Sequence, residues 1–464
     1  MKARNNHGNI DLSFGDAGYV GTDYEKSQGA ICSLATGAIR NFYLDLSLNV
    51  SGFYIQGRLA NGQVDPRFGE GGTKFLRIVR PEEDNVRFVH PLYAIRTAAN
   101  DCLVIGVLLA GEAAQAFVSK VRADGDLDLD YGENGTATFT LVGASSGVLQ
   151  VNATKADATL CAVATQWACA KPRLKSVPKN TVATGQVAQD GGLIFSIRSR
   201  FQTQGDFIVK LDASGNLDEA FQGGCIQIVV NGELAKIGSV ILDEQHRVVA
   251  CGWIADYGFV ARLTDDGMAD TSFGPQGNGF SMFASEHPGG QVSLYSLLAG
   301  NAGRLFVGGF TDTYPNFFGN ILIGLKEDGH LDEGFAEGGL LGLPQGTGFY
   351  FLSPGYEGRI LAACRYLGWE EPTIGEMTYL WCITAQGQIE EKFGNGSSEE
   401  GTAGSQLTSL NDIVDVHMQV DGNVLLYAGH GGFSEPASAK LCRVLPDILA
   451  QVKATSPLVA RYSH

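Results

Sequence analysis

The chain has 464 residues, 44% apolar and 18% charged, proportions that exclude a disordered polymer and suit a globular protein. Its net charge of −17 speaks against a nucleic-acid or anionic-membrane surface, which would need clustered lysine and arginine. No apolar run approaches the ~18 residues of a membrane span, so membrane insertion is not expected.

The N-terminal residues Met1–His7 hold no apolar leader, so the expected location is the cytoplasm, or outside the cell by a route without a cleavable signal peptide. They run into GNIDLSFGDAG, beginning at Gly8. The pattern returns at Gly62 (GQVDPRFGEGG), Gly125 (GDLDLDYGENG), Gly215 (GNLDEAFQGG), Gly267 (GMADTSFGPQG), Gly329 (GHLDEGFAEGG) and Gly387 (GQIEEKFGNG). Each copy reads glycine, any residue, an aliphatic (Ala269 in one), an acid, two variable residues, an aromatic, then a glycine-rich turn. The aromatics Phe14, Phe68, Tyr131, Phe221, Phe273, Phe335 and Phe393 stand 54, 63, 90, 52, 62 and 58 residues apart. A period of roughly 50–60 residues marks a repeat architecture.

Ahead of most copies lie short aliphatic runs bounded by Gly, Asp or Asn, which read as strands. In the unit Ile237–Gly274 they divide into strand A (Ser239–Leu242), strand B (Arg247–Gly252), strand C (Phe259–Leu263) and a strand D through Phe273. Four-stranded antiparallel units in tandem bury both faces by stacking around an axis, so the predicted fold is all-β, a seven-bladed β-propeller. Approximate blades are 21–72, 73–135, 136–224, 225–277, 278–339, 340–396 and 397–445 plus 1–20, with a tail at 446–464. The first motif has no strands A to C before it and the last unit has no motif after it. The N-terminal strand is therefore expected to close the last blade, pairing with Ala439–Leu445 and removing its open edge. The long third interval carries Val148–Trp167, which resembles an A–B hairpin. It reads as an insertion near 150–182, or alternatively as a degenerate eighth blade.

The motif Gly-x-Leu-Asp-x-x-Phe-Gly-x-Gly-Gly, with its preceding Asp-Gly-x-Ile/Val-x-Val-x-Gly and Arg/Lys-Leu strand, resembles the bacterial delta-60 repeat family. The resemblance covers about Gly8 to Leu445, with departures at Ala269, Glu390, Gln222 and Ala336. It implies a propeller-type fold and no reaction, ligand or catalytic residue.

In this topology the A–B and C–D turns share one end and the B–C loops the other. The former are short and stereotyped, whereas the latter vary and carry aromatics, as binding loops on rigid scaffolds do. The candidate binding residues are Trp253, Tyr257, Tyr314, Phe317, Phe318, Trp369 and His430, with a protein or carbohydrate as partner. No catalytic residue, metal ligand or cofactor is expected. The histidines lack metal-ligand spacing, and the calcium-like run Asp124, Asp126, Asp128, Asp130 has Leu129 where such a loop needs glycine. The cysteines form no CxxC pair and sit in apolar runs, as free buried thiols do. The sequence thus points to a non-catalytic binding or scaffold protein. The alternatives are a hydrolase or lyase at a central channel, using strand A groups such as Asp415 and His417, and a structural assembly component.

Overall fold

The aromatic and the acid of the motif are joined by the same hydrogen bond in every copy. The N–H of each aromatic donates to the carbonyl of the acid three residues earlier, from Phe14 to Asp11 at 3.0 Å through Phe393 to Glu390 at 3.0 Å. The acid's own N–H donates to strand C, as from Asp270 to Arg262 at 2.9 Å, and glycines at positive φ turn the chain out again.

In the computed structural model the described residues are 11–16, 19–21, 29–44, 51–78, 86–110, 113–140, 147–151, 158–161, 182–198, 206–286, 290–313, 317–343, 349–367, 376–390, 393, 405–407, 412–419, 423–430 and 438–444. They form strands and turns, with no α-helix, and no helix long and apolar enough to cross a membrane is found among them.

Strand β1 (Tyr19–Gly21) precedes a first sheet of β2 (Ala30–Ser33), β3 (Ile39–Tyr43), β4 (Gly52–Arg58) and β5 (Thr73–Arg77). The second sheet holds β6 (Val86–Arg96), β7 (Cys102–Ala110), β8 (Ala113–Val121) and β9 (Thr136–Thr140). After β10 (Gly147–Val151) and β11 (Ala158–Cys161) come the third, β12 (Val182–Val187), β13 (Leu193–Arg198), β14 (Phe207–Leu211) and β15 (Cys225–Val230) with the short β16 (Glu233–Leu234), and the fourth, β17 (Lys236–Leu242), β18 (Val248–Ile254), β19 (Tyr257–Leu263) and β20 (Phe280–Ser285). The fifth is β21 (Val292–Ala299), β22 (Leu305–Thr313), β23 (Phe317–Leu325) and β24 (Leu340–Leu343), and the sixth β25 (Phe349–Pro354), β26 (Ile360–Leu367), β27 (Glu376–Ile383) and β28 (Ser405–Leu407). The seventh joins β29 (Asp412–Met418), β30 (Val424–His430) and β31 (Ser438–Val444) to β1, with Tyr19 opposite Cys442.

Two sequence expectations need correction. Strand D does not run through Phe273. The motif is a turn that makes only an isolated bridge, Leu263 to Ala269, and the outer strand β20 follows it. The acid-to-aromatic hydrogen bond curls the chain there, so a ladder forms only once the glycines have been passed. Nor do β10 and β11 pair with each other as a hairpin. Each lies parallel to the last strand of a sheet, β10 on β15 of the third and β11 on β20 of the fourth. An apolar run bounded by turns carries no record of which partner it pairs with.

Packing is serial. The first strand β2 meets β6, β6 meets β12, β12 meets β17, β17 meets β21, β21 meets β25, β25 meets β29, and β29 meets β2. Apolar clusters fill the seams between successive sheets, and a further one joins Phe14 and Val20 to Ile31, Ile39, Leu425 and Tyr427. Each motif aromatic lies in one of these seams. Over several of them sits the opening glycine of the following copy. A Cβ on Gly329 (φ +82°) would come within 2.9 Å of the Phe273 ring, and one on Gly215 (φ +87°) within 2.8 Å of Tyr131. The repeat thus begins with glycine for two reasons, a left-handed backbone and a ring pressed against it.

Candidate functional site

At the turn end, the motif acids are consumed in structure. The carboxylates accept the N–H two residues on, as Asp270 does from Ser272 at 3.0 Å and Asp332 from Gly334 at 3.0 Å. They also meet a cation, and the sequence hides where it comes from. In three sheets it stands eight residues earlier on strand C, Lys120 to Asp128 at 2.7 Å, Lys210 to Asp218 at 3.1 Å and Arg262 to Asp270 at 2.7 Å, and in the seventh sheet strand C supplies Arg443 to Asp11 of the first motif at 2.8 Å. Where Gly324 or Cys382 holds that position, an arginine from the A–B turn replaces it, Arg304 to Asp332 and Arg359 to Glu390 at 3.5 Å. The guanidinium of Arg262 lies 4.6 Å over the Phe273 ring and that of Arg443 4.8 Å over Phe14. A cleft of about 380 Å³ between the fourth and fifth sheets borders this network, and its arginines are engaged already: Arg247 with Asp243 and Glu327, Arg262 with Asp270 and Ser272.

These contacts set the acid response. Burial pushes the carboxyls of Asp11 and Asp270 up, but hydrogen bonds from Ser13 and Ser272 and the charges of Arg443 and Arg262 outweigh it, leaving both below the ordinary value. The Lys120 ammonium holds Asp128 down as well. A folded-state pKa below the unfolded value near ~3.9 gives stability that is fully present above that value and is lost as pH falls through the folded one. Thermal melts are therefore expected to be level from about pH 7 to about pH 5 and to drop steeply below about pH 4, with Asp270→Asn shallower than the parent; a parent melt unchanged at pH 3 contradicts the assignment.

The other end carries the sequence candidates. The hairpin β18–β19 turns through exposed Ala255 and Asp256, with Ile254 opposite Tyr257 and Trp253 opposite Gly258. Strand alternation therefore separates the two aromatics. Half-buried Tyr257 packs toward the third sheet, whereas Trp253, 8% exposed, packs toward the fifth. Its ring centroid is 4.9 Å from Tyr295, which stacks at 5.7 Å on Phe310. Tyr295 reaches Trp253 because β21 has a bulge between Leu294 and Ser296, and because a Cβ on Gly238 would collide with its Cα at 2.7 Å. Gln291 Nε2 donates to the carbonyl of Ala255 at 3.0 Å and pins the hairpin to the next sheet.

Phe317 and Phe318 open β23 opposite Thr313 and Asp312, and His430 closes β30 opposite Ser438, so register places all three at this end. Their side chains lie outside the described residues, as do Tyr314 and Trp369 entirely. Asp415 and His417 sit on β29, the first strand of the seventh sheet, their side chains likewise outside the described set. Sequence reasoning missed Tyr295 and Phe310, which join Trp253; no motif marks them, since a bulge and not a spacing brings them together. Among the described residues no group of three His, Cys, Asp or Glu side chains is placed to hold a metal ion.

No family model matches the chain, and no curated protein does. Among solved structures, it is similar to a polysaccharide lyase at 11% identity and TM-score 0.45, covering 91% of this chain and 93% of that one. It is similar to prolyl oligopeptidase B from Galerina marginata at 9% identity and TM-score 0.43, covering 92% of this chain and 51% of that one. A third is Drosophila Plexin A in complex with Semaphorin 1b, at 8% identity and TM-score 0.41, over 95% of this chain and 88% of that one. Likenesses this distant carry no activity over to this chain.

Proposed function

We propose that the seven sheets are blades of a closed propeller of the delta-60 repeat type. In this reading the protein is a non-catalytic binding module that recognises a protein or glycan through the end where strands B and C join. The supporting observation is the contrast between the two ends. At the turn end, A–B and C–D connections repeat one hydrogen-bonded turn from sheet to sheet, as in Leu34 to Ala38, Thr97 to Asp101 and Thr264 to Met268, each 2.8–2.9 Å. At the other end the sheets differ, from the two-residue Ala255-Asp256 hairpin to the nine-residue strands β22 and β23. An end whose geometry repeats from blade to blade has little with which to distinguish a partner. Recognition therefore falls to the end where loop length and side chains vary. Trp253 supports this surface from beneath, and the exposed contacts are Asp256 and the outward edge of Tyr257.

The test is a glycan array and a pull-down with the intact protein, followed by Asp256→Ala and Tyr257→Ala. Binding is expected to weaken about tenfold or more in at least one variant, at unchanged melting temperature, while Glu333→Ala at the turn end leaves it intact. Loss of binding in Glu333→Ala alone, or no partner in either screen, overturns the reading.

A further inference from the structure

Five asparagines stand directly before a glycine: Asn61, Asn134, Asn231, Asn278 and Asn395. In such a pair the glycine nitrogen has open access to the asparagine Cγ, because no Cβ stands beside it. Asn395 and Gly396 lie outside the described residues, and the structure separates the other four. In three of them the glycine nitrogen is occupied. Gly62 donates its N–H to the carbonyl of Leu59, Gly135 to that of Tyr131 and Gly279 to that of Phe273, each at 2.9 Å, and all three glycines are buried. Two of the asparagines are held as well. Oδ1 of Asn61 accepts the N–H of Gln63 and Oδ1 of Asn278 that of Phe280, each at 3.1 Å.

Gly232 differs. Its N–H has no backbone acceptor among the described residues, it is exposed together with Asn231, and a Cβ on it would meet nothing within 4 Å. Val230 stands opposite Glu233, and the two residues between them have φ of +53° and +83°, so Asn231 and Gly232 form the tip of a two-residue hairpin of the type I′ kind. The N–H of Asn231 donates to the carbonyl of Val151 at 2.9 Å, which ties the tip to β10. The ladder below the tip is slight. Strand β16 has two residues, both exposed, so the hairpin opens locally while the rest of the third sheet stays paired. Opening lets the Asn231 carboxamide swing onto the next nitrogen, a rotation that the closed turn does not contain.

We propose that Asn231–Gly232 is a site of spontaneous modification, at which water converts the asparagine into aspartate and isoaspartate. The Gly232 nitrogen gives up its proton and attacks Cγ of Asn231. A C–N bond forms, and the carboxamide nitrogen leaves with that proton as ammonia. The product is a cyclic imide, which water opens at either carbonyl: attack at Cγ yields aspartate, and attack at the main-chain carbonyl yields isoaspartate. Nothing is oxidised or reduced. Each product adds one negative charge. Isoaspartate also inserts a methylene into the main chain, which the tight turn does not accommodate, so β16 loses its pairing. Lys236, just beyond β16, stands opposite Trp253, so the change falls at the end of the sheets that carries the β18–β19 hairpin.

The test holds the intact protein below its melting temperature in mildly alkaline buffer and digests samples with trypsin over time. Residues 211–236 form one peptide, in which Asn216 is an internal asparagine not followed by glycine. The expected result is a growing amide-to-acid mass shift that fragmentation places at position 231, with isoaspartate detected by isoaspartyl methyltransferase labelling. Asn61, Asn134 and Asn278 are expected to lag severalfold or more. In guanidinium chloride that lead is expected to vanish, because unfolding releases the three occupied nitrogens. Gly232→Ala is expected to fold, since its Cβ meets open space, and to lose most of the conversion, since the methyl shields the nitrogen. Native conversion at Asn61, Asn134 or Asn278 as fast as at Asn231 overturns the proposal. So does a native 211–236 peptide that stays unmodified while the denatured one converts, or a Gly232→Ala protein that converts at the parent rate.

Discussion

Arg443→Ala is expected to lower stability by about 3–5 kcal/mol, the range for removing one partner of a buried ion pair, read as a drop in the urea midpoint. Arg443 comes near the end of the repeats and Asp11 near their beginning, yet both side chains are 10% exposed and Nε donates to Oδ2 at 2.8 Å. The same guanidinium donates to the carbonyl of Ala60 at 2.7 Å and lies over Phe14, so it ties the first motif, the first sheet and the last sheet together. Its loss leaves the Asp11 carboxylate out of water, held only by Ser13. Asp11→Ala is expected to cost a similar amount, and the double variant little more than either alone, because both changes abolish one interaction. A further consequence separates this pair from an ordinary surface bridge. Once the N-terminal segment detaches, β31 becomes a bare edge, so the variant is expected to associate at high concentration in light scattering. A midpoint within about 0.5 kcal/mol of the parent would show that the N-terminal motif is held by something else.

Phe273→Ala is the second large effect, again about 3–5 kcal/mol, from lost apolar burial and the cavity left behind. The ring is fully buried between the fourth and fifth sheets, against Val249, Val260, Leu305 and Ile323. Three features are shaped to it: Gly329 pressed on its edge, the N–H of Gly274 donating to the carbonyl of Asp328 at 2.8 Å, and Arg262 over its face. Collapse is therefore blocked on several sides, which places the cost toward the upper end. Phe273→Leu is expected to recover part of the loss by refilling volume, without recovering the arginine contact. Equal midpoints for the alanine and leucine variants would mean that ring volume is not what the seam uses.

Much of this architecture is legible in the order of the residues. The interval between motifs shows the number of repeats, and the β-branched runs show strands. The uneven distribution of strands and motifs at the chain ends predicts that the first segment joins the last sheet, as β1 does on β31. The location of the outer strand is not legible, because a motif rich in glycine and apolar residues looks as much like a strand as like the turn it is. The cation source is hidden for a different reason. Arg304 and Arg359 substitute for strand C cations that are absent at Gly324 and Cys382, an exchange between positions distant in sequence and adjacent only in the folded sheet.

At the variable end, register follows from the sequence while direction does not. Tyr257 and Trp253 sit on one hairpin and face different seams, and Tyr295 reaches Trp253 only through a bulge. What each repeat makes is written in its own residues, since hydrogen bonds between positions three apart and the handedness of glycine are local properties. What each repeat touches is settled by long-range packing: which sheet edges β10 and β11 join, and which arginine neutralises which acid. Those contacts join residues from a few to hundreds of positions apart, and their energy comes from apolar surface and charge removed from water together, which no single stretch of chain contains.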